Sequence, residues 1–181
     1  MKLRKELKWR SVTMVKEVVS AIDVTITESD DGEHRYAIKR VWDAESPLVT
    51  VLTLYPTNFN YVENDLTNFL ITSNVYKLGF GGYYSTNLFS EKLIEKKKYK
   101  YTTDNVNDEI LVNSIKDSEL IILAYGSMPK KSKRVKERLD DVLALLKKKQ
   151  LSKKIRTLTD EKKIDCFHPL SVKVRKQWVI M

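Results

Sequence analysis

The hydrophobic positions of this chain follow two periods, one typical of strands and one typical of helices. From residue 24 to 41, apolar residues recur at every second position on both sides of an Asp-Asp-Gly turn, which predicts a β-hairpin. After Pro47, short β-branched runs alternate with longer stretches in which apolar residues recur every three to four positions. The predicted strands are residues 48–54, 83–88, 120–125 and 155–158, and the predicted helices are residues 62–78, a short helix that begins at Asp104 or Asn105, and residues 131–149.

Alternating strands and helices are typical of a parallel sheet with right-handed crossovers and helices on both faces. We therefore predict an α/β fold for residues 23–181: one three-layer α/β/α domain whose central, mainly parallel sheet has about four core strands, with the β-hairpin beside it. Residues 1–22 are basic and are expected to form an N-terminal helical extension. Gly79 is expected to close the helix over residues 62–78 in the left-handed conformation. The predicted apolar face of that helix consists of Leu66, Phe69, Leu70 and Ser73.

Composition excludes several classes of protein. The sequence has no run of about 18 apolar residues, so we expect no membrane span. The basic N-terminus is not followed by an apolar segment, as a secretory signal would be. Cys166 is the only cysteine and the two histidines are far apart, so we predict no internal disulfide and no metal site. We also predict no cofactor, and these features favour a cytoplasmic protein.

Charge is unevenly distributed along the chain. Residues 1–90 hold 10 Lys/Arg against 11 Asp/Glu, whereas residues 91–181 hold 23 against 13. Such asymmetry is typical of a surface that binds a polyanion, and it is equally compatible with a lysine-rich surface that only faces solvent. The residues predicted to contact nucleic acid are Lys130, Lys131, Lys133, Arg134, Lys173 and Arg175.

Polar residues collect where the predicted strands end. Because open α/β sheets bind ligands at the carboxyl ends of their parallel strands, we predict a binding site there. For the polar residues that open the first core helix, helix capping is an equally simple interpretation. The predicted site residues are Tyr55, Pro56, Thr57 and Asn58 after the first core strand, Asp65 and Thr67 at the start of the next helix, Asn87 at the end of the second strand, Gly126 and Ser127 after the third, and His168 and Ser171 in a late His-Pro loop.

Seven short motifs occur in a definite order. They are Arg35 to Trp42 (RYAIKRVW), Leu54-Tyr55-Pro56-Thr57, Asp65-Leu66-Thr67, Gly79-Phe80-Gly81, Asn87-Leu88-Phe89, Tyr125-Gly126 and His168-Pro169-Leu170. In this order they resemble a bacterial and phage family catalogued as a domain of unknown function, number 1643.

More distantly, the same order resembles the uracil-DNA glycosylase superfamily, and this resemblance implies the α/β/α fold of those enzymes. It also implies that Asn87 reads a base, that His168 assists its departure, and that Tyr55 stands at the water-activating position. Tyrosine is neither a carboxylate nor an amide, so the chain departs from the superfamily at that position. A fold-level resemblance does not by itself establish an activity.

The leading hypothesis is a glycosylase-like domain that binds nucleic acid or a nucleotide. If catalytic, it would act on an extruded or single-stranded base, on which Tyr83, Tyr84 or Phe59 is expected to stack. One alternative is a non-catalytic protein-interaction module in a phage or defence setting. Another is an enzyme that acts on a free nucleotide or a small metabolite.

Overall fold

The computed structural model of the chain describes residues 20–56, 65–92, 102–163 and 165–181. The predicted N-terminal extension falls almost entirely on residues 1–19, outside the described residues. No helix in the described ranges is both long enough and apolar enough to cross a membrane. The strands are β1 (Asp23–Glu28), β2 (Arg35–Val41), β3 (Leu48–Thr53), β4 (Gly82–Asn87), β5 (Leu120–Leu123), β6 (Ile155–Thr159) and β7 (Val179–Ile180), and the α-helices are α1 (Leu66–Lys77), α2 (Asn105–Lys116) and α3 (Lys133–Lys148).

The seven strands form one sheet in the order β1-β2-β4-β3-β5-β6-β7. Strand β3 pairs in parallel with β4 on one side and with β5 on the other, and β5 pairs in parallel with β6. The hairpin of β1 and β2 joins β4 antiparallel, and β7 joins β6 antiparallel. The α/β class and the hairpin are thus confirmed. As a whole the sheet is mixed, because three of the six pairings among the described strands are parallel and three are antiparallel.

Apolar side chains cover both faces of the sheet. On one face, Leu52 of β3 belongs to a buried cluster with Ile115 of α2 and Val142 of α3. On the other face, Val51 of β3 belongs to a second cluster with Ile71 of α1 and with residues of the C-terminal segment. The helix that follows β3 therefore lies on the opposite face from the helices that follow β4 and β5.

Helix α1 begins at Asp65, whose side chain caps it by accepting a hydrogen bond from the backbone N–H of Asn68 at 2.7 Å. The predicted apolar face of this helix is wrong at Leu66 and Phe69, which are 52% and 59% exposed, whereas Leu70 is buried as predicted. The buried side instead includes the amides of Asn68 and Asn74. Asn74 Nδ2 donates to a backbone carbonyl oxygen of its own helix at 2.9 Å, whereas its Oδ1 is buried with no hydrogen-bond partner in the described part of the chain.

The turn from α1 to β4 depends on two glycines. Gly79 has a φ of 85°, the left-handed conformation predicted for it. Gly81 lies against the connection between β2 and β3, where its N–H donates to the Pro47 carbonyl oxygen at 2.9 Å. A Cβ at this position would overlap the carbonyl oxygen of Asp43. This close approach sets β4 beside β3 and so brings Asn87 next to the end of β3.

Candidate functional site

An inner cavity of about 300 Å³ opens at the carboxyl ends of β3, β4 and β5. Its walls come from the end of β3, the start of α1, the end of β4, the loop after β5 and the loop at residues 168–170, with Arg35 at the start of β2. The helix after β3 and the helix after β5 lie on opposite faces of the sheet. In open α/β sheets, a crevice forms between two neighbouring strands whose following helices lie on opposite faces. The topology therefore accounts for the position of the cavity.

Asn87 lines the inner cavity, and Thr53 fixes its side-chain amide by holding the amide oxygen. Thr53 Oγ1 donates to Asn87 Oδ1 at 2.7 Å, and both residues are 3% exposed. The backbone beside it is also held, since the Asn107 amide nitrogen donates to the Asn87 carbonyl oxygen at 3.2 Å. With Oδ1 engaged as an acceptor, Nδ2 and its two protons remain available for a ligand.

His168 is held as a neutral imidazole with a defined tautomer. The backbone N–H of Leu170 donates to His168 Nδ1 at 3.3 Å, so the ring proton of the neutral form is on Nε2. Burial lowers the pKa of His168 below its usual value, although the negative charge of Asp65 acts in the opposite direction. The imidazole therefore offers an Nε2–H donor at neutral pH.

Gly126 allows the loop after β5 to pass beside this histidine. Its φ is 75°, in the left-handed region, and a Cβ there would lie 3.1 Å from His168 Cβ. A side chain would therefore require both backbone strain and displacement of the imidazole. Glycine at this position is part of how the two loops form one wall.

The described lining of the inner cavity includes one cation and one carboxylate. Arg35 is 4% exposed, and burial lowers its pKa to about 10 while the charges of Asp65 and Glu28 oppose that shift. The guanidinium thus stays protonated at neutral pH. Asp65 Oδ1 also accepts from Asn68 Nδ2 at 2.9 Å, and Asn68 Oδ1 is buried with no hydrogen-bond partner in the described part of the chain. A buried acceptor of this kind is costly unless something donates to it.

An outer cavity of about 780 Å³ adjoins the inner one. The two share the loop after β5 and the loop around His168 as a common wall. Beyond that wall, the outer cavity is lined by the end of β6, by Lys130 and Lys163, and by residues 165–167 and 171. Lys130 forms an ion pair with Asp165 there.

The structure brings most of the predicted site residues together. Pro56 is buried but does not line either cavity, and Thr57 and Asn58 lie outside the described residues. Ser171 and Lys130 line the outer cavity alone. The predicted residues that line the inner cavity are Tyr55, Asp65, Thr67, Asn87, Gly126, Ser127 and His168.

The predicted cationic surface is largely separate from the cavities. Of its six members only Lys130 lines the inner or the outer cavity. Lys133 forms an ion pair with Glu137 at 3.6 Å, and Lys173 forms one with Asp160 at 3.6 Å. The other three members line neither the inner nor the outer cavity: they are Lys131, Arg134 and Arg175.

The expected stacking residues are not placed to stack on a ligand in the inner cavity. Tyr83 is fully buried in the core, where its hydroxyl is 3.0 Å from Thr72 Oγ1. Tyr84 does not line the cavity, and its hydroxyl donates to Asp117 beyond the end of α2. Phe59 lies outside the described residues. The aromatic side chains that do line the inner cavity are Tyr55 and Tyr125.

Several residues of the inner cavity were not predicted. Arg35 and Ser85 lie on strands whose pairing decides which side chains reach the site, and the sequence contains no signal for that register. Thr53 was not predicted because its role depends on Asn87, which is distant in sequence, and Asn68 was not predicted because its role depends on burial of its amide oxygen. Tyr125 precedes Gly126 directly and could have been found from its position at a strand end. Burial raises the pKa of Tyr125 well above its usual value, so this phenol is neutral.

The described residues contain no group of three His, Cys, Asp or Glu side chains arranged to hold a metal ion.

Comparison with known proteins gives one match. The sequence model of a family described as "Protein of unknown function (DUF1643)" matches residues 35–170. That range begins at Arg35, ends at Leu170 and contains all the described residues that line the inner cavity. No curated protein and no solved structure matches the chain.

Proposed function

The chain belongs to the family described as protein of unknown function DUF1643, and we propose that it binds a nucleobase, carried by a nucleotide or a nucleic acid, in its inner cavity. The observation that carries the proposal is the pre-oriented set of buried and half-buried hydrogen-bonding groups on one small cavity. Asn87 Nδ2 and His168 Nε2 are donors whose orientations are set by Thr53 and by the backbone of Leu170. Asn68 Oδ1 is an acceptor without a partner among the described residues.

A planar heterocycle with both donors and acceptors at its edge is the ligand that such a set suits. The charges of Arg35 and Asp65 offset each other, so the lining that the structure describes favours a polar ligand of low net charge. The cavity is of the size that encloses a small ligand, at the lower end of the range of about 300–1,000 Å³ typical of such sites. The phenol rings of Tyr55 and Tyr125 supply apolar surface for a ring to contact.

A second candidate function, hydrolytic release of the base in the manner of a glycosylase, is favoured by the state of His168. A neutral imidazole with its proton on Nε2 can donate to a base that gains negative charge as its bond to the sugar breaks. Water would add its hydroxyl to the sugar carbon and its proton would go to the departing base. Asp65 is the carboxylate of the described cavity lining, and in this second candidate function it would be the group that polarises the water.

The proposal is tested by isothermal titration with uridine, cytidine, adenosine and guanosine and with their 5′-monophosphates. We expect at least one to bind, and we expect Asn87→Ala and His168→Ala each to weaken that binding about 5- to 20-fold, as loss of one good hydrogen bond in a closed site does. Matched controls are Asn113→Ala, on the exposed side of α2, and His34→Ala, in the hairpin turn; neither residue lines the cavity.

Two outcomes would contradict the proposal. If no nucleoside or nucleotide binds, the inner cavity has another ligand or none, and the interaction-module hypothesis takes precedence. If binding occurs and the double variant Asn87→Ala/His168→Ala retains it fully, the ligand lies elsewhere. Chromatography of the incubated ligand then decides the second candidate, because release of free base requires hydrolysis and its absence leaves a binding protein.

A further inference from the structure

The two cavities differ in charge. In the inner cavity, the described lining has one cation, Arg35, and one carboxylate, Asp65. In the outer cavity, the described lining has two cations, Lys130 and Lys163, and the carboxylate of Asp165. The wall between them contributes no charge through His168, which burial keeps neutral at neutral pH. Counted by side chains, the described lining is therefore balanced on one side of this wall and carries one net positive charge on the other.

Resting on the proposed function of the inner cavity, we propose that the outer cavity binds the phosphate of the same ligand, with Lys130 as its principal cation and Asp165 as an internal anion that competes with the phosphate for Lys130. A nucleotide has the same division of charge, with a neutral base at one end and an anionic phosphate at the other. The shared wall at Gly126 and His168 is where the sugar would pass from one cavity to the other.

Hydroxyl groups in the outer cavity support an anion site. Thr159 is 1% exposed, and its Oγ1 is buried with no hydrogen-bond partner in the described part of the chain, although the residue lines this cavity. Ser127 and Ser171 also line it. Hydroxyl donors beside lysines are the usual partners of phosphate oxygens, as they are where proteins hold nucleic-acid backbones.

The ion pair between Lys130 and Asp165 is the reason to assign Asp165 a competing role. The side chains of Lys130 and Asp165 are 71% and 43% exposed, so their mutual attraction is weakened by water and a phosphate can exchange with the carboxylate. Both groups face the cavity, and both a carboxylate and a phosphate present oxygen atoms to an ammonium group. The pair thus marks the position where a ligand anion would be held.

The chain offers a matched control three residues away. Lys133 and Glu137 form a similarly exposed ion pair, with side chains 89% and 61% exposed, and neither residue lines a cavity. Any general effect of removing a lysine or a carboxylate from this surface is therefore measured with Lys133→Ala and Glu137→Gln. The test variants are Lys130→Ala and Asp165→Asn.

The measured quantity is the phosphate contribution, the ratio of the Kd of a nucleoside to the Kd of its 5′-monophosphate. We expect Lys130→Ala to lower this ratio about 2- to 5-fold and Asp165→Asn to raise it by a similar factor, as befits exposed charges. The Lys133→Ala and Glu137→Gln variants are expected to leave it unchanged. If Asp165→Asn lowers the ratio, Asp165 assists the ligand and the competing role is wrong. If Lys130→Ala and Lys133→Ala act alike, the effect is one of surface charge and the outer-cavity site is wrong.

A second titration distinguishes failure of this site from failure of the proposed function. If nucleosides bind in an Asn87-dependent manner and the monophosphate adds nothing, the outer-cavity site is refuted and the inner-cavity proposal stands. If no nucleoside binds, inorganic phosphate alone still tests the outer cavity, since Lys130→Ala must weaken it and Asp165→Asn must strengthen it. A third titration uses a single-stranded oligonucleotide in place of the monophosphate. If Lys130→Ala weakens monophosphate binding more, the anion is a terminal phosphate; if it weakens oligonucleotide binding more, the anion is an internal phosphodiester.

Discussion

Thr53 is the residue whose substitution tests the geometry of the inner cavity most directly. Its hydroxyl donates to Asn87 Oδ1 at 2.7 Å, whereas its distance to the Thr86 carbonyl oxygen is 3.5 Å, so the single proton belongs to the Asn87 bond. Replacement by valine keeps the shape of the side chain and removes only the donor. The amide oxygen of Asn87 is then buried without a donor in the described structure.

The expected cost follows from that loss. Leaving a buried acceptor unsatisfied destabilises a protein by about 1–3 kcal/mol. The lower end applies if a water molecule in the cavity replaces the hydroxyl. The amide is also free to turn, so Thr53→Val is expected to weaken ligand binding about as much as Asn87→Ala does. Thr53 thus acts through Asn87 as a positioning residue.

Thr50→Val is the matched control for this substitution. Thr50 is also buried on β3, and its Oγ1 lies 2.9 Å from Ser118 Oγ. Ser118 keeps its own bond to the Ser114 carbonyl oxygen at 2.8 Å when Thr50 changes, so we expect a cost below about 1 kcal/mol and no effect on the ligand. Urea unfolding and ligand titration of both variants provide the measurement. Equal unfolding free energies for Thr53→Val and wild type, together with unchanged binding, would refute the proposed role of the Thr53–Asn87 bond.

Three further predictions concern the same wall of the cavity and its surroundings. Gly126→Ala places alanine at a φ of 75° and its Cβ 3.1 Å from His168 Cβ. We therefore expect a loss of about 1–2 kcal/mol in the free energy of unfolding, measured in urea, together with weaker ligand binding. An unchanged urea midpoint would contradict this prediction. Because the folded-state pKa of His168 is lower than its usual value, the unfolded chain takes up that proton first as the pH falls. The free energy of unfolding should therefore decrease as the pH falls below about 6.5, and it should decrease less in His168→Gln than in wild type. Equal pH dependence in the two proteins would contradict the burial of this histidine in the folded state. In a salt series with a labelled oligonucleotide, we expect a slope of about −1 in log Kobs against log salt, because Lys130 is the predicted cation that lines the outer cavity. A slope of about −4 or steeper would instead show a phosphate-binding surface across several lysines.

The parts of the fold that local chemistry determines were predictable. The Asp- and Gly-containing turn predicted the hairpin of β1 and β2, and the regular spacing of Val135, Leu139, Val142 and Leu146 predicted the buried side of α3. The collection of polar residues at strand ends was also predictable, because carboxyl ends of parallel strands meet at one edge whatever their order. Asn87 and His168 therefore came together as expected.

The parts that depend on contacts distant in sequence were not predictable. Helix α1 has little contrast between its apolar and polar sides, so its pattern did not show that Asn68 and Asn74 face inward while Phe69 faces outward. A lysine count cannot show which lysines have carboxylate partners, and Lys133 and Lys173 proved to have them. The role of Thr53 exists only through the register of β3 with β4, which pairs it with Asn87.

The division of charge between the two cavities favours a ligand with a small phosphate group over a long polyanion. A protein that follows a nucleic-acid backbone presents several unpaired cations in a row, and its affinity falls steeply with salt. Here the predicted basic stretch has its first lysine paired with Asp165 inside a cavity and its third paired with Glu137 outside it. Each pairing lowers the attraction available to a passing phosphate, and only the first lies where a ligand already held by Asn87 could displace the carboxylate. Specificity would then come from the buried amide and imidazole, and the lysine would add affinity only once the base is in place.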